Sequence, residues 1–439
     1  MERTIAYTSD WKDAYKRKLM STEDAAKLIQ SRQRIFTAGF GGDPETFFTA
    51  LARRKDELEG VIVSSCNSIL RFEHNKPEYE GHFINEQWFL GAGARESVSS
   101  GRGTYVPCNF GDFDRYLAHE QYDYATMLVS PPDKNGFMSF GLMVAFSRTI
   151  ARHADKVIVQ VNQNYPRVLG DTFIHVSEVD HIVEANDPLL TIPEMPISET
   201  SRTIAEYIAE KIEDGSTLQL GIGGIPNAVG NLMMHKKDLG IHSEMITDAV
   251  MELAEAGVVT GRKKTLHPRT IVGTFVGGSQ KLYDWTHDNP LVAGYPVGYT
   301  NDPCVIAQNH KQISINAALE VDLTGQASSE SIGNKQYSGV GGQVDFVRGA
   351  TQSPGGQSFL VLNSTAEVKG QILSTIVPQL KTGGFVTTSR NDIDNVVTEY
   401  GIAPLRGRNV RQRVEALVSI AHPDFRNELM EQARKAKFI

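Results

Sequence analysis

"RIFTAGFGGDPETFFTALARR" (residues 34–54) and "STLQLGIGGIPNAVGNLMM" (residues 216–234) read as one structural unit occurring twice. Each opens on a short apolar run, the pattern of a buried strand. Each then passes a turn of the form G-x-G-G-x-P, Gly39 to Pro44 and Gly221 to Pro226. A helix pattern follows, with the proline suited to its first turn, where no amide hydrogen is needed. The next strands also correspond: "GVIVSSC" from Gly60 and "GIHSEM" from Gly240. A six-residue match is weak by itself. The matching flanks turn it into an internal duplication of an α/β unit.

Helix patterns precede both units. "STEDAAKLIQS" (residues 21–31) begins with a capping-box signal, and "SRTIAEYIAEKIEDG" (residues 201–215) reads as an amphipathic helix ending at its glycine. Between the halves, "ANDPLLTIPEMPISETS" (residues 185–201) carries Pro188, Pro193 and Pro196, three prolines in nine residues. That density marks an extended linker. Strands alternating with helices on either side predict two related open α/β domains with mainly parallel sheets, over residues 1–190 and 199–439.

The chain has 439 residues, too many for one ordinary core. It is 40% hydrophobic and 22% charged, with a net charge of −8. That balance argues against nucleic-acid or anionic-membrane partners, so an anionic ligand needs local donors. Cys66, Cys108 and Cys304 form no C-x-x-C pair, and neither a disulfide framework nor a zinc knuckle is expected. A reducing, cytoplasmic setting fits. No apolar run reaches the roughly 18 residues of a membrane span. The base rate for oligomers favours a homodimer.

Three stretches can carry chemistry. The Gly221–Pro226 turn can offer backbone amides to an anion at a helix start. Glu244 lies 23 residues after Gly221, near the spacing of a ribose-binding acid. The dinucleotide pattern fails, however, at Pro226, where a third glycine belongs. "SGVGGQVDFVRGA" (residues 338–350) is a second glycine turn able to face an oxyanion, or a simple hairpin or bulge. In "DNVVTEYGIAPLRG" (residues 394–407), Glu399 follows an apolar strand, either lining a cleft with Glu244 or pairing with Arg406 or Arg408.

Glu244 itself sits in "DLGIHSEMITDAV" (residues 238–250), read as a strand over residues 240–246 with one acid among Ile241, Met245 and Ile246. The residues alone leave open a nucleophile or a strand-end acid paired with Lys236 or Lys237. His175 and His181 are six apart, not a metal-ligating helix pair, and no metal site is expected. Neither G-x-S-x-G nor a Walker A sequence occurs.

"LQLGIGGIPNAV", "HSEMITDAV", "QYSGVGGQVDFVRGA" and "VVTEYGIAPLRGR", in that order, resemble the acetyl-CoA hydrolase/transferase family. Within it, the nearest likeness is to members that transfer CoA to 4-hydroxybutyrate or between butyryl-CoA and acetate. The resemblance covers nearly the whole chain. It implies two CoA-transferase-like domains with the active site between them, and coenzyme A as co-substrate with no permanently bound cofactor. It implies that Glu244 is a covalent nucleophile and that Gly341 or Gly342 supplies an oxyanion amide. It implies that Gly221, Ile222, Gly223, Gly224, Ile225 and Lys369 bind coenzyme A, and that Asn301 and Glu399 line the substrate pocket.

The implied chemistry suits a poorly solvated carboxylate that attacks an acyl-CoA carbonyl. Acid release leaves a glutamyl–CoA thioester, which an incoming carboxylate or, in a hydrolase, water resolves. A non-catalytic anion-binding protein is the reading from another class. The acceptor stays open among 4-hydroxybutyrate, butyrate, acetate, succinate and itaconate, with Arg102, Arg167 and Arg348 as candidate carboxylate clamps.

Overall fold

The computed structural model describes residues 7–70, 72–193, 196–221 and 223–439. The chain divides into two compact units, one of Met1–Ile192 with Val272–Thr300, the other of Pro193–Ile271 with Asn301–Ile439. The first break falls within the proline-rich linker. Residues 272–300, which the sequence reading assigned to the second domain, belong to the first unit. They are tied there by bridges of Phe275 to Met143 and of Gly294 to Gly170.

The first unit is built on a seven-stranded parallel sheet. Its strands are β1 (Arg34–Thr37), β2 (Val61–Cys66), β3 (Phe83–Phe89), β4 (Gly103–Tyr105), β5 (Tyr124–Val129), β6 (Lys156–Val161) and β7 (His181–Glu184). Their order is β4-β3-β2-β1-β5-β6-β7. Every residue of β5 is buried, the continuous apolar run expected of a central parallel strand covered on both faces. Helix α1 (Glu45–Ala52) buries Phe47, Phe48 and Leu51 against Ile35, Val61, Val63 and Phe83.

The second unit repeats the plan. Helix α2 (Glu199–Ala209) is capped by the Ser198 hydroxyl, which accepts from the Ser201 amide. Its stripe of Ile204, Ala205, Ile208 and Ala209 is buried at helical spacing, and it stops short of Gly215, where the sequence pattern placed its end. β8 (Thr217–Leu220) follows, then helix α3 (Gly224–Leu232) and β9 (Gly240–Ile241), which pairs parallel with β8. The other members are β10 (Gln312–Ala317), β11 (Gln357–Val361), β12 (Asn395–Thr398) and β13 (Gly401–Pro404), in the order β9-β8-β10-β11-β12-β13. All pair parallel except β12 with β13.

The duplication is visible in topology. β1 lies between β2 and β5 as β8 lies between β9 and β10. In each sheet the strand order reverses at the first strand, and the glycine turn leaves that strand's carboxyl end. Open α/β sheets bind ligands at such reversals.

The turn in the first unit has no room for a side chain. Gly39 has φ +77°, and a Cβ there would stand 1.9 Å from the Cys66 carbonyl oxygen. Gly39→Ala is expected to cost roughly 1–3 kcal/mol, the strain of a non-glycine residue in that region plus the clash. Denaturant unfolding followed by circular dichroism checks this. A midpoint equal to wild type would contradict the turn geometry.

Candidate active site

The acid-bearing stretch does not form the single strand over residues 240–246 that its pattern suggests. β9 ends at Ile241, the chain bends at Glu244, and a second short strand covers Met245–Ile246. The ladder geometry persists to the bend: the His242 amide donates to the Leu218 carbonyl, and the Ser243 hydroxyl reaches the Leu220 carbonyl at 3.3 Å. His242 and Ser243 are fully buried. Glu244 therefore leaves a fixed strand at the carboxyl edge of the sheet, level with the start of the Gly221 turn.

The "GVGGQVDF" stretch is likewise neither hairpin nor bulge. Gly342 is the N-cap of helix α4 (Gln343–Gln352), so the turn ends in a helix N-terminus. The Gly342 amide hydrogen-bonds to the Glu244 carboxylate. The approach is so close that a Cβ on Gly342 would sit 1.9 Å from Glu244 Oε2 and 2.2 Å from Asn301 Nδ2. Glycine at 342 is a steric requirement of the carboxylate's seat.

Asn301 completes the arrangement. It is fully buried, and its Nδ2 donates to Glu244 Oε2 at 2.9 Å and to Asp345 Oδ2 at 3.3 Å. One amide thus bridges two carboxylates. Asp345 is buried in the first turn of α4. The sequence reading passed over it, although an acid three residues beyond a glycine N-cap is a recognisable first-turn position.

Burial above all pushes the Glu244 carboxyl up, to about 7, and the charge of Asp345 adds to it. The hydrogen bonds from Asn301 and Gly342 pull in the opposite direction. Lys236 is not its partner: that ammonium donates to the Ile212 carbonyl at 2.7 Å.

The other candidates fall in separate places. Gly221, Gly223, Gly224 and Ile225 form the passage from β8 into α3, with Gly223 as N-cap at φ +128°. Ile222 lies outside the described residues. Gly341, at φ +59°, precedes the Gly342 cap. Glu399 stands at the carboxyl end of β12, on the same sheet edge as Glu244 but four strand positions away, roughly 19 Å along the ladder. It accepts from the Ser364 amide and hydroxyl, at 2.9 and 2.5 Å, rather than pairing with Arg406 or Arg408. Lys369 is exposed at the two-residue tip of the hairpin Thr365–Val368 and Gln371–Ser374.

The three arginines offered as clamps hold internal carboxylates. Arg102 pairs with Glu96, Arg167 with Asp133 and Asp288, and Arg348 with Asp392.

Comparison with known proteins agrees with the motifs. The profile of the acetyl-CoA hydrolase/transferase N-terminal domain matches residues 4–194, and that of the C-terminal domain matches residues 278–433. The 4-hydroxybutyrate coenzyme A transferase of Clostridium kluyveri is 47% identical over 97% of this chain and 99% of its own. The butyryl-CoA:acetate CoA-transferase of Anaerostipes caccae is 39% identical over 97% and 98%. Among solved structures, RipA from Yersinia pestis superposes with a TM-score of 0.92 at 37% identity, covering 98% of this chain and 100% of its own.

The raised Glu244 carboxyl has a thermodynamic consequence. An acid at 4.5 unfolded and about 7 folded binds its proton more tightly in the native state. That contribution is fully present below pH 4.5 and is lost as pH rises to 7, so the ionised carboxylate weighs against folding above 7. Glu244→Gln, always neutral, should match wild-type stability near pH 4.5 and exceed it at pH 8 by on the order of 2 kcal/mol. Unfolding midpoints across pH check this. A difference independent of pH would contradict the buried-acid account.

Proposed function

The chain belongs to the acetyl-CoA hydrolase/transferase family and is an acyl-CoA transferase, and from that premise we propose that it moves coenzyme A from a short-chain acyl-CoA such as acetyl-CoA or butyryl-CoA to 4-hydroxybutyrate through a thioester on Glu244. The observation that carries this reading is the seat of Glu244: a partly buried carboxylate facing two fixed donors, the Gly342 amide and Asn301 Nδ2.

The ionised Glu244 attacks the acyl carbonyl, and the tetrahedral oxyanion collapses to an acyl-glutamyl anhydride and CoA thiolate. The glycine turns at 221–225 and 341–342 supply backbone amides for that oxyanion. The thiolate then attacks the glutamyl carbonyl. Negative charge gathers on the glutamyl oxygen that Asn301 and Gly342 already face, and the first acyl group departs as its carboxylate. Donors fixed in place before reaction need no reorganisation as charge develops, which is why they stabilise it well. The acceptor carboxylate reverses both steps and leaves as its own CoA ester. Burial serves this chemistry because a poorly hydrated carboxylate is a stronger nucleophile.

In this reading coenzyme A is a co-substrate, with Gly221–Ile225 and Lys369 along its path, while Glu399, four strands away and engaged by Ser364, stands apart from the reacting acyl group. No permanently bound group is required. Cys66, Cys108 and Cys304 are not joined in disulfides, in keeping with the reducing cytoplasmic location proposed for this chain. No helix among the described residues is long and apolar enough to cross a membrane. A homodimer is the assembly proposed on base rate.

Acyl exchange tests the reading. With acetyl-CoA as donor, 4-hydroxybutyrate, butyrate, isotopically labelled acetate, succinate and itaconate are offered in turn, and the new or newly labelled CoA esters are measured. Acceptor-dependent ester formation is expected, fastest for 4-hydroxybutyrate. CoA release from acetyl-CoA alone, no faster with any acceptor, would overturn the transferase in favour of a hydrolase.

A further inference from the structure

We infer that Asp345 is a positioning residue for the reaction at Glu244: it fixes the Asn301 amide with its nitrogen toward the glutamyl oxygen. The inference rests on Glu244 being the nucleophile. It concerns a residue that contacts neither substrate nor coenzyme A in the proposed scheme: it orients Asn301, and its charge is felt at Glu244.

An asparagine side chain is nearly symmetric in shape. The amide oxygen and nitrogen occupy nearly the same space, so a half-turn exchanges acceptor for donor at little steric cost. Catalysis tolerates only one orientation. As carboxylate, anhydride, oxyanion and thioester, the glutamyl oxygen remains an acceptor, and Asn301 must present Nδ2 to it at every stage.

Glu244 alone cannot enforce this. Its carboxyl takes up a proton near neutrality. A protonated Glu244 is a donor that would welcome Asn301 Oδ1 and trap the flipped amide. The second contact of Nδ2, to Asp345 Oδ2 at 3.3 Å, breaks the tie. An ionised Asp345 accepts and never donates, so a flipped amide would set Oδ1 against an anion. Asn301 Oδ1, in agreement, makes no hydrogen bond among the described residues.

Asp345 is itself rigidly placed. It lies in the first turn of α4, which starts at the same Gly342 that donates to Glu244. The helix is fixed by the Gln343 amide, donating to the Thr388 hydroxyl at 2.8 Å, and by buried Val344, Phe346 and Val347. Both ends of the Asn301 bridge are therefore set by fixed backbone.

The surrounding groups leave Asp345 as the charge that acts on Glu244. On the Glu244 segment, His242 packs 6.4 Å from the Phe346 ring and Asp248 begins the next helix. On α4, Arg348 is held by Asp392 at the surface. The neighbouring helix Pro303–Ile306 carries Cys304, exposed, with Asp302 as its N-cap. β10 and β11 bring no titratable side chain.

Steady-state and single-turnover kinetics of Asp345→Asn, Asp345→Ala, Asn301→Ala and the double variant Asp345→Ala/Asn301→Ala test the inference. Asp345→Asn keeps an acceptor but loses the charge. Its acid limb in kcat/KM should move to lower pH by roughly 0.5–1 unit, because one like charge is gone. Asp345→Ala should lose roughly ten- to a hundred-fold in kcat with KM for acyl-CoA little changed. On the Asn301→Ala background the Asp345→Ala change should cause no further loss in kcat, since there is no amide left to orient.

A pH profile of Asp345→Asn that superimposes on wild type, or equal losses from Asp345→Ala with and without Asn301, would overturn the inference. Should Asp345→Ala fail to fold, the pH profile of Asp345→Asn decides. A CoA adduct on Glu244 of the wild-type enzyme separates the two levels. If it forms, such kinetics remove only the role of Asp345; if it does not, the nucleophile reading fails with it.

Discussion

A carboxylate sits where a side chain on residue 342 would have to be. That close approach, Glu244 against the backbone of Gly342, is the constraint on which the rest of the site depends. It brings a helix N-terminus within hydrogen-bonding distance of an acid that burial would otherwise leave poorly satisfied. It also forces Asn301 into the remaining gap, where its amide is shared between Glu244 and Asp345. Burial and the second acid hold the carboxyl near neutrality, and the two donors keep it from rising further. The site is destabilised by its charge at high pH and organised to stabilise charge during reaction. That opposition is common where binding and catalysis are concentrated.

The fold explains why these groups meet. β8, β9, β10, β11 and β12 run parallel, so their carboxyl ends share one edge. The helices that follow or precede them in βαβ order begin at that same edge. Hence Glu244 after β9, the glycine turn after β8 and the start of α4 converge without any special loop. Glu399 comes to the edge too, at β12, but four strands away and engaged by Ser364. The first unit repeats this topology with Gly39–Pro44 at its own point of strand reversal, which makes the duplication one of chain path as well as of motif.

Much of this was legible in the amino-acid pattern. Paired G-x-G-G-x-P turns after apolar strands identified a repeated α/β plan, because glycine at those positions answers a backbone requirement rather than a chemical one. The lone acid among Ile241, Met245 and Ile246 drew attention to Glu244, and the order of the four family motifs, not the acid by itself, made it the candidate nucleophile. What the pattern misread has a physical cause in each case. The stretch 240–246 reads as one short strand with a single acid among Ile241, Met245 and Ile246, yet hydrogen bonding to β8 stops before the acid, so the strand breaks there. "GVGGQVDF" looked like a hairpin because glycines dominate it; the helix start became visible only with Asp345 in its first turn. Asp345 itself escaped notice because its significance lies in sharing an amide with Glu244, 101 residues away in sequence. The arginines proposed as clamps were plausible by charge alone. Their local pairing with Glu96, Asp133, Asp288 and Asp392 depends on tertiary proximity that no spacing rule reveals.

The central claim is that Glu244 becomes covalently attached to coenzyme A. Intact-protein mass spectrometry of the enzyme incubated with acyl-CoA and no acceptor, followed by peptide mapping, tests it most directly. The account predicts a mass gain of one coenzyme A less one water, located on Glu244 and discharged by an added carboxylate. The absence of any adduct on the wild-type enzyme, or an adduct on another residue together with full acyl transfer by Glu244→Ala, would contradict it.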